Sequence, residues 1–148
     1  MSYIDYVYAE ERRPKTNYPA EYVKELIKRF ELRPGMKLLE LGPGRGDFLE
    51  AFRNEGLLVK GIDQQISSNI KRKDLEVVTS DLNSGSLSLN DNSYDIVFSK
   101  SVIEHLIDPE RIFEEIYRVL KKGGICITMT PDWEANMKIF YDDHTHIR

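Results

Sequence analysis

The stretch LLELGPGRGDF, residues 38–48, limits what this chain can fold into more than any other. An apolar run carrying one acid, Glu40, is followed at once by glycines at three alternate positions, Gly42, Gly44 and Gly46. Glycine gathered between a strand and a helix signals a backbone that turns tightly or lies against something large. Spacing separates the phosphate- and nucleotide-binding loops that begin this way. A P-loop needs Lys and then Ser or Thr after its last glycine, and here Gly46 is followed by Asp47 and Phe48, so that reading fails. A dinucleotide fingerprint starting at Gly42 needs glycine at position 47, where Asp47 stands. A carboxylate at that helix N-terminus would repel a pyrophosphate and suits a cationic ligand.

The elements around this turn alternate. Apolar residues Tyr22, Val23, Leu26, Ile27 and Phe30 predict an amphipathic helix from Pro19 to Phe30, stopped by Pro34-Gly35. Strands are expected over 37–41, 57–62, 75–79, 94–99 and 124–130, with a helix over 47–54 ended by Gly56. The polar stretch after Asp63 has room for a helical turn or two, and NSGSLSLNDNS reads as loop anchored by Leu87 and Leu89. Asp108 and Pro109 open the clearest helix, with Ile112, Phe113, Ile116, Tyr117 and Leu120 assigned to one face and Gly123 to the left-handed C-terminal position. Apolar strands alternating with helices argue for an α/β fold with a parallel sheet covered on both faces.

At 148 residues the chain fits one domain with a real core. No apolar run approaches the roughly 20 residues of a membrane span, so no membrane partner is expected. A formal net charge of −4 gives no electrostatic reason to expect nucleic-acid binding, and the short cluster Lys71-Arg72-Lys73 reads as a solvated turn. The start, MSYIDYVYAEERR, has no apolar signal core, and the single cysteine, Cys126, cannot form an internal disulfide. A reducing cytoplasm is the expected location.

ELGPGRG, residues 40–46, is an acid followed by Gly-x-Gly-x-Gly at the end of the first strand, and it resembles the first motif of the class I S-adenosylmethionine-dependent methyltransferases. The resemblance runs from about Tyr18 to the C-terminus. It implies a Rossmann-like, doubly wound, mostly parallel sheet, S-adenosyl-L-methionine as cofactor and S-adenosyl-L-homocysteine as product. By the same resemblance Gly42, Gly44 and Gly46 pack against the methionine half of the cofactor, and Glu40 helps hold its amino group. Asp63, 17 residues after Gly46, matches the acid that binds both ribose hydroxyls, with Gln64 beside it. Asp81 and the backbone of Leu82 match the position that recognises the adenine edge. FSKSVIEHL, residues 98–106, looks like the fourth motif, which places Ser99 beneath the cofactor and leads to the methyl acceptor.

Physical chemistry supports these positions independently. In an open parallel sheet ligands bind at the carboxyl ends of the strands, and Leu41, Asp63, Asp81 and Ser99 all fall there. A carboxylate accepts two hydrogen bonds from a diol, and a sulfonium cation is favoured by acids, carbonyl dipoles and aromatic faces. Each feature also has a structural reading: the glycines as a strained turn, Asp63 and Asp81 as helix caps, His105 as a helix-start histidine bonded to backbone. What favours the ligand site is their joint order along the chain.

Methyl transfer by direct displacement is largely a matter of alignment. Where the acceptor must lose a proton, His105, just after the fourth strand, is the candidate catalytic base, with Glu104 structural or cofactor-adjacent. The C-terminal DDHTHIR does not complete a metal ligand set and reads as an acceptor-side loop containing His144, His146 and Arg148. The expected organisation is therefore one domain, 1–148, with residues 1–17 as lid or tail carrying Tyr3, Tyr6 and Tyr8, 18–130 as core and 131–148 on the acceptor side. The resembling family continues with two more strands, absent here, so the fifth strand is expected to be an edge covered by the chain's own tail, further sequence, a partner or a second copy. Two functions remain: an active methyltransferase on a small-molecule acceptor, or a non-catalytic domain of the same fold that binds the cofactor or a protein partner.

Overall fold

The computed structural model describes Tyr6, Ala9 and residues 11–132. Helix α1 (Tyr18–Phe30) takes Pro19 in its first turn and buries Val23 and Leu26. It stops at Glu31, which adopts left-handed dihedrals (φ 52°), ahead of the Pro34-Gly35 pair that the sequence suggested as the stop. The Leu32 N–H then donates to the Ile27 carbonyl, closing the last turn without a glycine. Strand β1 (Lys37–Leu41) and helix α2 (Asp47–Asn54) have the bounds expected from sequence. They are followed by β2 (Leu58–Asp63), the short helix α3 (Ser68–Arg72) and β3 (Val77–Thr79). A 3-10 turn (Leu82–Ser84), β4 (Tyr94–Lys100), a second 3-10 turn (Ile103–His105), helix α4 (Pro109–Val119) and β5 (Leu120–Met129) complete the described chain.

The five strands form one parallel sheet in the order β3-β2-β1-β4-β5. Strand neighbours alternate between two cores. Leu38, Ile96 and Phe98 point to the side covered by Val23 and Leu26 of α1 and Leu49 and Phe52 of α2. Leu39, Leu41 and Val97 point to the other, against Ile112, Ile116 and Val119 of α4. The chain runs outward through β1, β2 and β3, then returns to start β4 on the far side of β1. That reversal makes the carboxyl ends of β1 and β4 the switch point where such sheets bind ligands. Among the described residues β5 has no strand on its outer side.

Three expectations near α4 need correction. Phe113 and Tyr117 are 44% and 84% exposed, because the buried face follows 112, 116 and 119 and these two residues lie about 100° away on the helix. Leu120 belongs to β5 rather than α4, and pairs with Tyr94. Gly123 does have positive φ (80°), but inside β5, where the register passes from Tyr94↔Leu120 to Ile96↔Ile125 and three extra residues bulge out. There, a Cβ on Gly124 would lie 2.9 Å from the Lys121 carbonyl oxygen and 3.1 Å from that of Asp95.

The long loop before β4 is held by one side chain. Arg118 of α4 donates to the carbonyls of Leu87 and Leu89 (2.8 Å each), to both oxygens of Glu115 (2.7 Å each) and to Asp91 Oδ1. Glu115 Oε2 in turn accepts from the Leu87 N–H at 2.7 Å, which seats the Leu87 side chain in the core. These are charge-assisted bonds to a partly exposed guanidinium, so Arg118→Ala should cost about 1–3 kcal/mol of unfolding free energy. Urea denaturation should show a lower midpoint at an unchanged slope. A loss smaller than about 0.5 kcal/mol would mean that the loop holds its place without the clamp.

Candidate functional site

At the switch point the glycine turn is explained first by the protein itself. Gly42, Gly44 and Gly46 all have positive φ (67°, 54° and 77°). A Cβ on Gly42 would lie 2.4 Å from Val102 Cγ2, so the loop after β4 rests directly on this glycine. One on Gly46 would meet the Cδ1 atoms of Ile70 and Leu75 at 2.5 and 2.8 Å. Gly44 serves through its backbone: its N–H donates to Asp63 Oδ2 (3.0 Å), and its carbonyl accepts from the buried Ser67 hydroxyl (3.0 Å). The turn is thereby bonded to the end of β2, where Asp63 Oδ1 also accepts from the Gln65 N–H at 3.3 Å.

Glu40 sits in the floor of this arrangement, 3% exposed, with Oε2 accepting no hydrogen bond. Burial raises its pKa to about 8, helped by the nearby charges of Asp63 and Asp47, while Lys73 and Lys100 pull the other way. A buried acid kept near neutrality with one oxygen unpartnered is expensive for the fold and suits an incoming cationic donor. Ser99, the register partner of Leu41 at the end of β4, is fully buried on the opposite face of the sheet, and its hydroxyl also has no partner.

Asp47 is differently placed from what the sequence suggested. Arg45 Nε and Nη2 both lie 2.6 Å from its Oδ2, Lys73 Nζ lies 2.6 Å from its Oδ1, and Lys73 also reaches Glu50 at 2.8 Å. Burial alone would raise the Asp47 pKa, and the hydrogen bonds from Arg45 and Lys73 outweigh it and hold the group below the ordinary carboxylate range. Its charge is thus neutralised locally and is not aimed at a ligand. Arg45 Nη1 also donates to the Arg13 carbonyl at 2.5 Å, fastening the segment before α1 to the glycine turn. Tyr6 is exposed and packs under Arg12, whereas Tyr3 and Tyr8 lie outside the described residues.

The remaining predicted residues divide. Asp81 Oδ1 accepts from the Asn83 N–H (2.9 Å) and from Gln64 Nε2 (2.8 Å), so this acid does cap a turn, as its structural reading held, while bridging the ends of β2 and β3. Leu82 sends its side chain into the core. His105 is exposed at the end of the second 3-10 turn, where its N–H donates to the Val102 carbonyl. Both carboxylate oxygens of Glu104 are buried without a hydrogen-bond partner. Among the described residues no three His, Cys, Asp or Glu side chains are placed to hold a metal, and DDHTHIR with His144, His146 and Arg148 lies outside them. No described helix is long and apolar enough to cross a membrane.

Sequence reading missed an aromatic group on the same side of the sheet as Glu40. Phe48 of α2 lies 5.5 Å from Phe98 of β4 and meets Tyr18 and Tyr22 of α1 edge-on at 5.9 and 6.3 Å, with Lys100 Nζ 5.7 Å from its ring centre. The only available signal was that Phe48 and Tyr22 fall on the inward faces of their helices. A separate cavity of about 690 Å³ lies between α1, α2 and α3, near Asn17, Asn54 and Arg72. Neither Glu40, Asp63, Asp81 nor Ser99 lines it, so it is distinct from the strand-end crevice.

The raised pKa of Glu40 has a testable sign. Between about pH 4.5 and 8 the folded protein keeps a proton on Glu40 that the unfolded chain has lost, so stability falls as pH rises through this window. The contribution is about 1.4 kcal/mol per pH unit. Unfolding measured across this range should give a wild-type curve that drops by this amount relative to Glu40→Gln, whose position 40 does not titrate. Parallel curves for the two proteins would mean that Glu40 is ionised in the free fold.

Comparison with known proteins supplies the family. A family model described as a methyltransferase domain matches residues 39–128, which run from within β1 to the last residues of β5 and include the glycine turn, Asp63, Asp81 and Ser99. Phosphoethanolamine N-methyltransferase 2 of Caenorhabditis elegans is 38% identical over 117 residues, covering 71% of this chain and 26% of that protein. Ubiquinone biosynthesis O-methyltransferase of Coxiella burnetii is 27% identical over 105 residues, 61% of this chain and 41% of that one. The chain therefore spans between a quarter and about two fifths of the length of these curated relatives. The crystal structure of a Methanococcus maripaludis protein named for S-adenosyl-L-methionine-dependent methyl transfer superposes with a TM-score of 0.66 at 24% identity, over 75% of this chain and 54% of that one. That likeness supports the fold. The match across all five strands and the glycine turn establishes that this chain belongs to the class I methyltransferase-domain family.

Proposed function

We propose that this chain binds S-adenosyl-L-methionine across the ends of β1, β2 and β3 and directs its methyl group, by direct displacement, onto a small-molecule acceptor beside β4. The observation that carries the reading is Glu40, a buried carboxylate with an unpartnered oxygen at the switch point. Such a group fits the ammonium of an amino-acid moiety, which would draw the proton off Glu40 and satisfy the free oxygen. The bound cofactor supplies an activated methyl group on a sulfonium.

Each residue then has a defined task. Asp63, oriented by the Gly44 N–H, accepts from the ribose hydroxyls. Asp81 has Oδ1 engaged by Gln64 and Asn83, which leaves Oδ2 for an adenine amino group beside the backbone of Leu82. Gly42, Gly44 and Gly46 keep the turn low, and the Ser99 hydroxyl offers a buried donor and acceptor between cofactor and acceptor. His105 takes the acceptor's proton where one must be lost. The names of the relatives, phosphoethanolamine and ubiquinone biosynthesis, support a small acceptor and differ in whether nitrogen or oxygen is methylated.

The test is calorimetry with S-adenosyl-L-homocysteine, followed by a transfer screen over small amines, phenols and acids. Wild-type protein should bind, and Asp63→Ala should lose about 2–4 kcal/mol of binding free energy through two charge-assisted bonds. No binding by the wild type overturns the reading, and an undiminished affinity in the variant removes Asp63 from the site. Binding without turnover would favour a cofactor-binding domain that does not catalyse.

A further inference from the structure

Lys100 closes β4, half-buried, and its surroundings differ from those of the other lysines drawn into the fold. Lys60, Lys73 and Lys121 each contact a carboxylate at 2.6–2.8 Å, whereas Lys100 makes no ion pair among the described residues. Its ammonium stands 5.7 Å from the centre of the Phe48 ring, which Phe98 supports from below and Tyr18 and Tyr22 flank edge-on. Strand alternation puts Lys100 on the sheet face of Phe98 and Glu40, which are themselves register partners. The ring attracts the ammonium without consuming its N–H donors. The result is a half-buried cation that acts on Glu40 through its charge but has no carboxylate at contact distance among the described residues.

The strand order says where that anion would come from. Asp63 ends β2 and Asp81 follows β3 on one flank of Glu40, and Lys100 ends β4 on the other. A ligand lying across β3, β2 and β1 leaves the end of β4 to whatever enters beside it. Resting on the proposed cofactor site above, we infer that Lys100, held against Phe48, recognises an anionic substituent, carboxylate or phosphate, on the methyl acceptor. The site thereby selects acidic acceptors over their uncharged counterparts.

The probes are inorganic phosphate, and phosphoethanolamine beside ethanolamine, titrated calorimetrically into protein saturated with S-adenosyl-L-homocysteine. The wild type should bind phosphate and favour phosphoethanolamine by about tenfold or more, the range of one charge-assisted contact. Lys100→Met should abolish that preference, Lys100→Arg should retain most of it, and the affinity of either variant for S-adenosyl-L-homocysteine should stay within about threefold of wild type. Three results overturn the inference while leaving the cofactor site standing: no anion preference in the wild type, a preference that survives Lys100→Met, or a loss of homocysteine-product affinity in Lys100→Met, which would assign the ammonium to the cofactor's own carboxylate. Failure of the wild type to bind S-adenosyl-L-homocysteine overturns the cofactor reading itself, and this inference with it.

Discussion

The pairing of β1 with β4 is the constraint on which the rest depends. These two central strands are covered on both faces, so Leu38, Leu39, Leu41, Ile96, Val97 and Phe98 are all essentially removed from water. Hydrophobic burial at about 25 cal/mol per Å² makes this the most strongly favoured part of the fold. It is also where the chain reverses its winding direction. The crevice is therefore anchored in a strand pair whose apolar side chains are buried on both faces of the sheet. A pairing slip of one residue would exchange the two cores and turn Glu40 away from its side of the sheet.

Two acids near this point show how the same residue type serves opposite ends. Asp47 has two cations within hydrogen-bond distance and ties the glycine turn, α2 and the residues after α3 into one body. Glu40, seven residues earlier in β1, has an oxygen with no hydrogen-bond donor. The first arrangement lowers the energy of the free protein, and the second raises it in a way that a cationic ligand can relieve. Both lie within the reach of Lys73, so the site's charge balance is shared between a structural network and a recognition group.

How much of this was legible in the sequence depends on the range of the interaction. Strand β1 and helix α2 could be bounded to the residue because glycines punctuate both ends. The junction of α4 and β5 could not, since Leu120 satisfies a helical face and a strand equally well and the positive φ of Gly123 serves a bulge as readily as a helix end. For the site, local pattern was enough to find Glu40, Asp63 and Asp81 at strand ends. Pairings of Asp47 with Lys73, or of Lys100 with Phe48, join residues 26 and 52 positions apart, and nothing local announces them. Asp47, whose place at the helix start suited a cationic ligand, is instead engaged by Arg45 and Lys73 of the chain itself.

Cys126 gives the edge strand a reporter. It lies in β5 opposite Val97, exposed, with its sulfur 3.4 Å from the Thr128 hydroxyl. As the sequence has no other cysteine, a thiol reagent marks this one place on the molecule and nowhere else. The rate at which Cys126 is alkylated therefore measures how open the outer flank of the sheet is, and any chain segment, partner or second copy that settles there makes itself known by slowing a single chemical reaction.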